Sequence, residues 1–237
     1  GSKLRPDCQI QRLRSKGWTF ILGGSGPRPE SMAILADLTL PDHEPVCEEL
    51  RQLILEREQE GDAHRYHKRR ETQFGDLFES KFDLFTWKDP CVVKIARFCH
   101  GALGELIRQL THYSTEELTK LRFDYHAWFH VTRTGGYQGL HNHQNSSWSG
   151  IFCVDPGDEL ADRPDSGLVR FHDPRWCSWY HSEKGNLGLK DPYRHGGFDV
   201  THRPGRLVIF PSFLNHEIFP YLGERPRNVI AFNCSIT

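Results

Sequence analysis

His141 and His143 stand one residue apart in Leu140-His141-Asn142-His143. In extended backbone such a pair points to one face of a strand, so two imidazoles can reach one ion. A third histidine, His216, follows Phe210-Pro211-Ser212-Phe213-Leu214-Asn215 at the head of a strand-like stretch. Neutral imidazoles suit iron, zinc, copper or nickel, and three of them on one ion leave positions open for chemistry. Surface or hydrogen-bonding histidines are the plainer explanation of the pair taken alone. Arg227 adds a different capacity. It opens Arg227-Asn228-Val229-Ile230-Ala231-Phe232-Asn233, after the turn-forming Leu222-Gly223-Glu224-Arg225-Pro226. A hairpin there would bring it onto the strand beside His216. An inward guanidinium is costly unless it meets an anion, and its planar fork fits a carboxylate with two parallel bonds. The competing reading leaves Arg227 at the turn with its head in water.

The elements that must carry these side chains fall into two halves. From about 45 to 60 the apolar residues Val46, Leu50, Leu53 and Ile54 recur at helical spacing, with Pro45 suited to a first turn. Asp89-Pro90 reads as a capping carboxylate followed by proline at the first helical position. Val92, Ile95, Ala96, Cys99, Leu103, Leu106, Ile107 and Leu110 then continue a helix. Ser114-Thr115-Glu116-Glu117 matches a capping box. After residue 122 the period becomes two: Phe123, Tyr125, Ala127, Phe129 and Val131 alternate with Asp124, His126, Trp128, His130 and Thr132, until Gly135-Gly136 breaks the run. Further strands are expected at 148–154, 167–172, 206–211, 216–220 and 227–236, and at 18–22 and 33–40 short apolar runs are strands or buried coil. Short strands punctuated by Gly/Pro turns indicate a sandwich or barrel. The expected fold is mainly β with N-terminal helices, a jelly roll buttressed by those helices. Residues 1–121 form the helical or mixed part packing on the barrel and 122–237 the jelly-roll catalytic core, together one compact unit.

Composition narrows the function. The chain has 237 residues, a net charge of −1, 37% hydrophobic and 12% aromatic residues. That supports a packed core and gives no global attraction to nucleic acid or an anionic membrane. No apolar run reaches the roughly 18–20 residues of a membrane span. Seven cysteines without a CxxC pair indicate free thiols in a reducing compartment. With no apolar leader-like stretch at the first residues, the expected location is cytoplasmic. Residues 56–72 read as a solvated helix end and loop, and His64, His67, His195 and His202 as loop or surface histidines. Trp176, Trp179, Tyr180 and His181 form an aromatic cluster, and the stretch 185–197 after it is either a lid or core packing.

Trp128, Gly136, His141, His143, Ser149-Gly150, Phe171-His172-Asp173-Pro174-Arg175, Pro204-Gly205-Arg206-Leu207, Phe210-Pro211-Ser212, His216, Arg227 and Phe232-Asn233 occur in that order. In this series the segment from Trp128 to Asn233 resembles the 2-oxoglutarate/iron(II) oxygenase family with an H-x-H…H…R pattern. The resemblance implies a double-stranded β-helix, iron(II), and 2-oxoglutarate as cosubstrate. It implies His141 and His216 as metal ligands and Arg227 gripping the distal carboxylate of 2-oxoglutarate; His143 is preferred as the third ligand because the family-like pattern is H-x-H, and Ser149 and Asn233 are further candidates for hydrogen bonds to the cosubstrate. Most of the wider superfamily has a carboxylate where His143 stands. A shifted register, with His143 as first ligand and Asn145 at the acidic position, is the alternative. The implied reaction is oxidative decarboxylation of 2-oxoglutarate coupled to hydroxylation or related C–H oxidation. The substrate would be a small molecule, an amino acid or a peptide, and neither nucleic acid nor membrane is expected as partner. A cupin-like three-histidine metalloenzyme or dioxygenase that does not use 2-oxoglutarate is the runner-up, and a jelly-roll binding module the third reading.

Overall fold

The computed structural model describes residues 19–21, 35–68, 70–174, 184–187 and 197–237. The aromatic cluster at 176–181, Arg175 and His195 lie outside the described residues. In chain order the elements are β1 (Thr19–Ile21), β2 (Leu35–Thr39), α1 (His43–Gln59), β3 (Gln73–Phe74), β4 (Leu77–Glu79), α2 (Pro90–Leu110), α3 (Thr115–Lys120), β5 (Phe123–Thr132), β6 (Tyr137–His141), β7 (Trp148–Asp155), β8 (Val169–Phe171), α4 (Lys184–Leu187), β9 (Phe198–Val200), β10 (Arg206–Pro211), β11 (His216–Ile218) and β12 (Arg227–Ile236).

The strands build two antiparallel sheets. One has seven strands in the order β1-β2-β10-β7-β12-β5-β4, the other five in the order β3-β6-β11-β8-β9. This is the mainly β, double-stranded β-helix architecture expected from the sequence, with α1 and α2 on the outer face of the larger sheet. Period-two patterning on β5 produces both of its surfaces. Phe129 and Val131 join the large core with Leu50 and Ile54 of α1 and Ile95, Leu103 and Leu106 of α2, while Trp128, His130 and Thr132 turn to the space between the sheets. Each fully buried Leu, Ile or Phe in that outer core contributes roughly 1.5–3 kcal/mol through removal of apolar surface from water. A second, smaller core of Ile151, Val169, Phe171, Val200, Val208, Phe210, Leu214 and Val229 lies between the sheets.

Local signals account for most boundaries. The Ser114 hydroxyl accepts the Glu117 amide and Glu117 accepts the Ser114 amide, completing the capping box of α3. Asp89 stands at the N-cap of α2 with Pro90 behind it, but its side chain makes no capping hydrogen bond. The strand β5 ends at a turn in which Gly135 takes φ 81°, a conformation costly for any residue with a Cβ. Strands β3, β4 and β9 were not anticipated. Each has two or three residues, too few for a periodic pattern.

Candidate active site

Between the sheets lies a cavity that opens onto His141, His143, His216 and Arg227. His141 ends β6 and His216 opens β11, and the two are register partners across that strand pair. His143 follows two residues past the end of β6, its backbone N–H donating to the Ser212 carbonyl at 2.8 Å. One potential ligand atom from each of His141, His143 and His216 lies within 4.8 Å of the others. The loops are tied together beside the histidines, where Asn142 Nδ2 donates to Asn215 Oδ1 at 2.9 Å. Asn145, the residue of the shifted register, is exposed.

The ring chemistry fits a cation. His141 Nδ1 donates to the Gly139 carbonyl at 2.7 Å and His216 Nδ1 to the Leu214 carbonyl at 3.0 Å. A carbonyl only accepts, so both rings carry the proton on Nδ1 and keep a lone pair on Nε2. Such outer hydrogen bonds fix the tautomer and orientation of ligating histidines. Burial first, and the neighbouring histidine charges after it, hold His143 down at about 3 and His216 well below the ordinary histidine value. Burial likewise lowers His141, against the opposing effect of its bond to Gly139. Three neutral, convergent imidazoles are the donor set a divalent transition metal requires.

Arg227 reaches the same cavity by a different route from the hairpin expected at the sequence level. It opens β12 in the larger sheet, paired with Thr132 of β5, whereas His216 belongs to the smaller sheet. The two therefore face one another across the barrel instead of lying on adjacent strands. Val154 of β7 is an extra residue opposite Asn228 and Val229, a bulge next to the arginine of the kind that re-aims side chains. The guanidinium is buried, with only 3% of the residue exposed, and its Nε and Nη2 have no hydrogen-bond partner. Burial pulls its pKa below the usual arginine value. Gly167 makes room for it, since a Cβ there would stand 3.1 Å from Arg227 Cδ and 3.3 Å from Nε. A buried cation with two orphaned donors in one plane is complementary to a carboxylate.

Ser149 and Asn233 are register partners on β7 and β12. Ser149 lines the cavity, and its hydroxyl lies 2.7 Å from that of Ser212 and donates to Asn233 Oδ1 at 2.8 Å. Asn233 Nδ2 lies 3.3 Å from His143 Nδ1. Their polar atoms thus engage one another, Ser212 and His143.

Sequence reasoning missed a buried acid. Glu79 on β4 is 4% exposed and pairs in register with His130. Gln73 Nε2 donates to its Oε2 at 2.7 Å, and His130 Nε2 lies 2.9 Å from the same oxygen. Burial alone would raise the Glu79 carboxyl, but His130, Arg70 and Gln73 together bring it below the usual glutamate value. Trp128 Nε1 also approaches His130 Nε2, at 3.0 Å. Arg70, in the stretch read as solvated loop, is half exposed and stands 3.7 Å from Glu79 Oε1. His126 is exposed, while His130 lines the cavity. His202, read as a surface residue, is buried with Nε2 unpartnered. No sequence signal marked Glu79, because its surroundings depend on a strand pairing distant in the chain.

Residues 126–233 match the family described as "Putative 2OG-Fe(II) oxygenase". Iron(II) and 2-oxoglutarate are the cofactor and cosubstrate of that family. Among curated protein sequences no match was found. Among solved structures, a prolyl-4-hydroxylase from Pseudomonas putida superposes with a TM-score of 0.59 at 15% identity, over 85% of this chain and 91% of that one. A Trichoplax adhaerens prolyl hydroxylase, solved with a peptide of the hypoxia inducible factor oxygen degradation domain, gives 0.55 at 11% identity over 85% and 83%. The non-heme alpha ketoglutarate dependent carbocyclase SnoK of nogalamycin biosynthesis gives 0.54 at 8% identity over 84% and 78%. At these identities the superpositions establish the fold.

Proposed function

We propose that this chain couples oxidative decarboxylation of 2-oxoglutarate, to succinate and carbon dioxide, to hydroxylation or a related C–H oxidation of a small-molecule, amino-acid or peptide substrate. The observation that carries this reading is the unpaired Arg227 guanidinium facing three convergent histidines across one cavity. His141, His143 and His216 would hold iron(II) through ring nitrogens. The bound metal would supply the activation of dioxygen that side chains alone cannot. Arg227 would bind the distal carboxylate and so orient the oxo acid, with the apolar walls at Ile151, Phe210 and Val229 keeping water from the reacting centre. The family match over residues 126–233 and the fold support the class of reaction. The peptide in the Trichoplax enzyme and the carbocyclase among similar structures are consistent with either kind of substrate. No described helix is long and apolar enough to cross a membrane.

Anaerobic titration with iron(II) and 2-oxoglutarate tests the reading. The expected result is a visible metal-to-ligand charge-transfer band at one equivalent of each, and succinate formation once oxygen is admitted. The all-histidine donor set also matches the runner-up, a three-histidine dioxygenase independent of oxo acids. Iron-dependent turnover without 2-oxoglutarate, and no such band, would select that one.

A further inference from the structure

Three neutral imidazoles leave a divalent ion with its whole charge, one unit more than two histidines and a carboxylate would leave. Arg227 places a second buried cation on the same cavity. Buried charge of one sign is costly unless opposite charge stands near it. Among the described residues Glu79 is the only buried acid, at 4% exposed.

Its place in the fold sets it beside this cavity. Leu77, two residues earlier and on the same face of β4, lines the cavity. Glu79 is level with His130 of β5. His130 in turn lines the cavity between Trp128, whose ring centroid is 6.2 Å from that of His143, and Thr132, the register partner of Arg227. Gln73 and His130 both engage Glu79 Oε2, at 2.7 and 2.9 Å, and hold the carboxylate in place. Oε1 is enclosed without a hydrogen bond. Arg70 Nε, 3.7 Å away on a half-exposed side chain, is too distant to donate one. Burial works against the charge on Glu79, and His130, Arg70 and Gln73 outweigh it. The field of this carboxylate reaches the triad. After burial and the bond to Gly139, the charges that act on His141 are those of His130 and Arg70, which oppose a positive charge there, and that of Glu79, which favours one.

We propose that Glu79 is the counter-charge of the metal centre: the negative charge missing from an all-histidine ligand set comes from a buried carboxylate that does not ligate, with Arg70 acting against it from the solvent side. The inference rests on the three-histidine site of the proposed function. Cobalt(II), titrated into the metal-free protein and followed by its visible spectrum, is the probe. Glu79→Gln keeps the side-chain shape and removes the charge. It should weaken cobalt binding by about 10–100-fold without shifting the absorption bands, because the ligands are unchanged. Arg70→Gln should tighten binding by about 2–5-fold at low ionic strength and by less at high salt, since a half-exposed charge is screened. Opposite shifts under one spectrum are the mark of a charge, whereas a part confined to holding β4 on β5 would alter the bands and would not reverse sign at Arg70. Cobalt affinity in Glu79→Gln equal to wild type, or shifts of one sign in both variants, would overturn the inference alone. If Glu79→Gln does not fold by circular dichroism, Arg70→Gln decides, and an unchanged affinity at low salt overturns it. Absence of cobalt binding in the wild type, or full binding in His141→Ala, would overturn the three-histidine site and the inference with it.

Discussion

His141 and His216 face each other in register across β6 and β11, with ring centroids 4.2 Å apart. The pair is fixed by backbone on both sides: each sits in a ladder, and each donates Nδ1–H to a carbonyl two residues earlier in its own chain. Neither ring can turn its Nε2 away without giving up that bond. His143, held by a side chain, has the freedom the other two lack.

That difference orders the expected effects of substitution. His141→Ala and His216→Ala should each abolish stoichiometric metal binding in a folded protein, whereas His143→Ala should weaken it. Metal analysis with far-UV circular dichroism measures this directly. Thermal unfolding gives a second reading, because metal at about a hundredfold over Kd adds roughly 2.7 kcal/mol to stability and should raise Tm in the wild type and not in the first two variants. Full occupancy in either would remove that histidine from the ligand set.

Arg227 should act on cosubstrate binding and on stability in opposite directions. Arg227→Ala should lose roughly 2–4 kcal/mol of 2-oxoglutarate binding through the missing charge-assisted bonds, and Arg227→Lys should recover only part, since a point charge lacks the fork. Arg227→Met removes a buried charge with unpaired donors and fills similar space, so the ligand-free variant should melt above the wild type. Calorimetric titration and thermal melts of the three variants are sufficient; wild-type affinity in Arg227→Ala would assign the carboxylate to another residue.

His202 carries a pH prediction. Burial, then the nearby Arg227 and Arg206, hold its pKa well below that of an exposed histidine. In the unfolded chain it takes a proton below about pH 6.5, while the folded form stays neutral. The stability tied to this difference is full above pH 6.5 and declines as pH falls toward the lower folded value. Tm should therefore drop between pH 7 and 5, and His202→Gln should flatten part of that drop. An unchanged slope in the variant would mean that other buried groups set the acid limit.

Gly150 tests the packing behind the site. A Cβ there would run into the ring of Phe232 on the neighbouring β12. Overpacking of this kind costs about 1–3 kcal/mol, so Gly150→Ala should melt about 2–4 °C lower for each kcal/mol lost. A Tm equal to wild type would show that Phe232 has room to move.

Much of this was legible in the sequence because periodicity reports faces. The alternation in β5 and the helical spacing of α2 located the outer core, and the H-x-H pair with His216 located the triad. The sequence could not report which sheet a strand joins. Arg227 was expected beside His216 and lies across the barrel from it, because β12 inserts between β7 and β5. Nor could it report pairing partners. Glu79 belongs to a three-residue strand whose meaning comes from His130, and the link from Asn233 to His143 needs the path of two sheets.

Strand β12 carries Arg227 at its first residue and Asn233 six positions on, and it is hydrogen-bonded along both flanks. At roughly 3.3 Å per residue these two points are about 20 Å apart along the backbone. A slip of one residue would turn Arg227 out of the cavity and Asn233 away from His143, so the spacing cannot be adjusted in small steps. If the anion rests at one mark and the metal is held through the other, β12 is a ruler, and tolerance for shorter or longer oxo acids is a matter of backbone stiffness more than of side-chain shape. Trimming pocket side chains would then widen the cavity without changing which chain length bridges it.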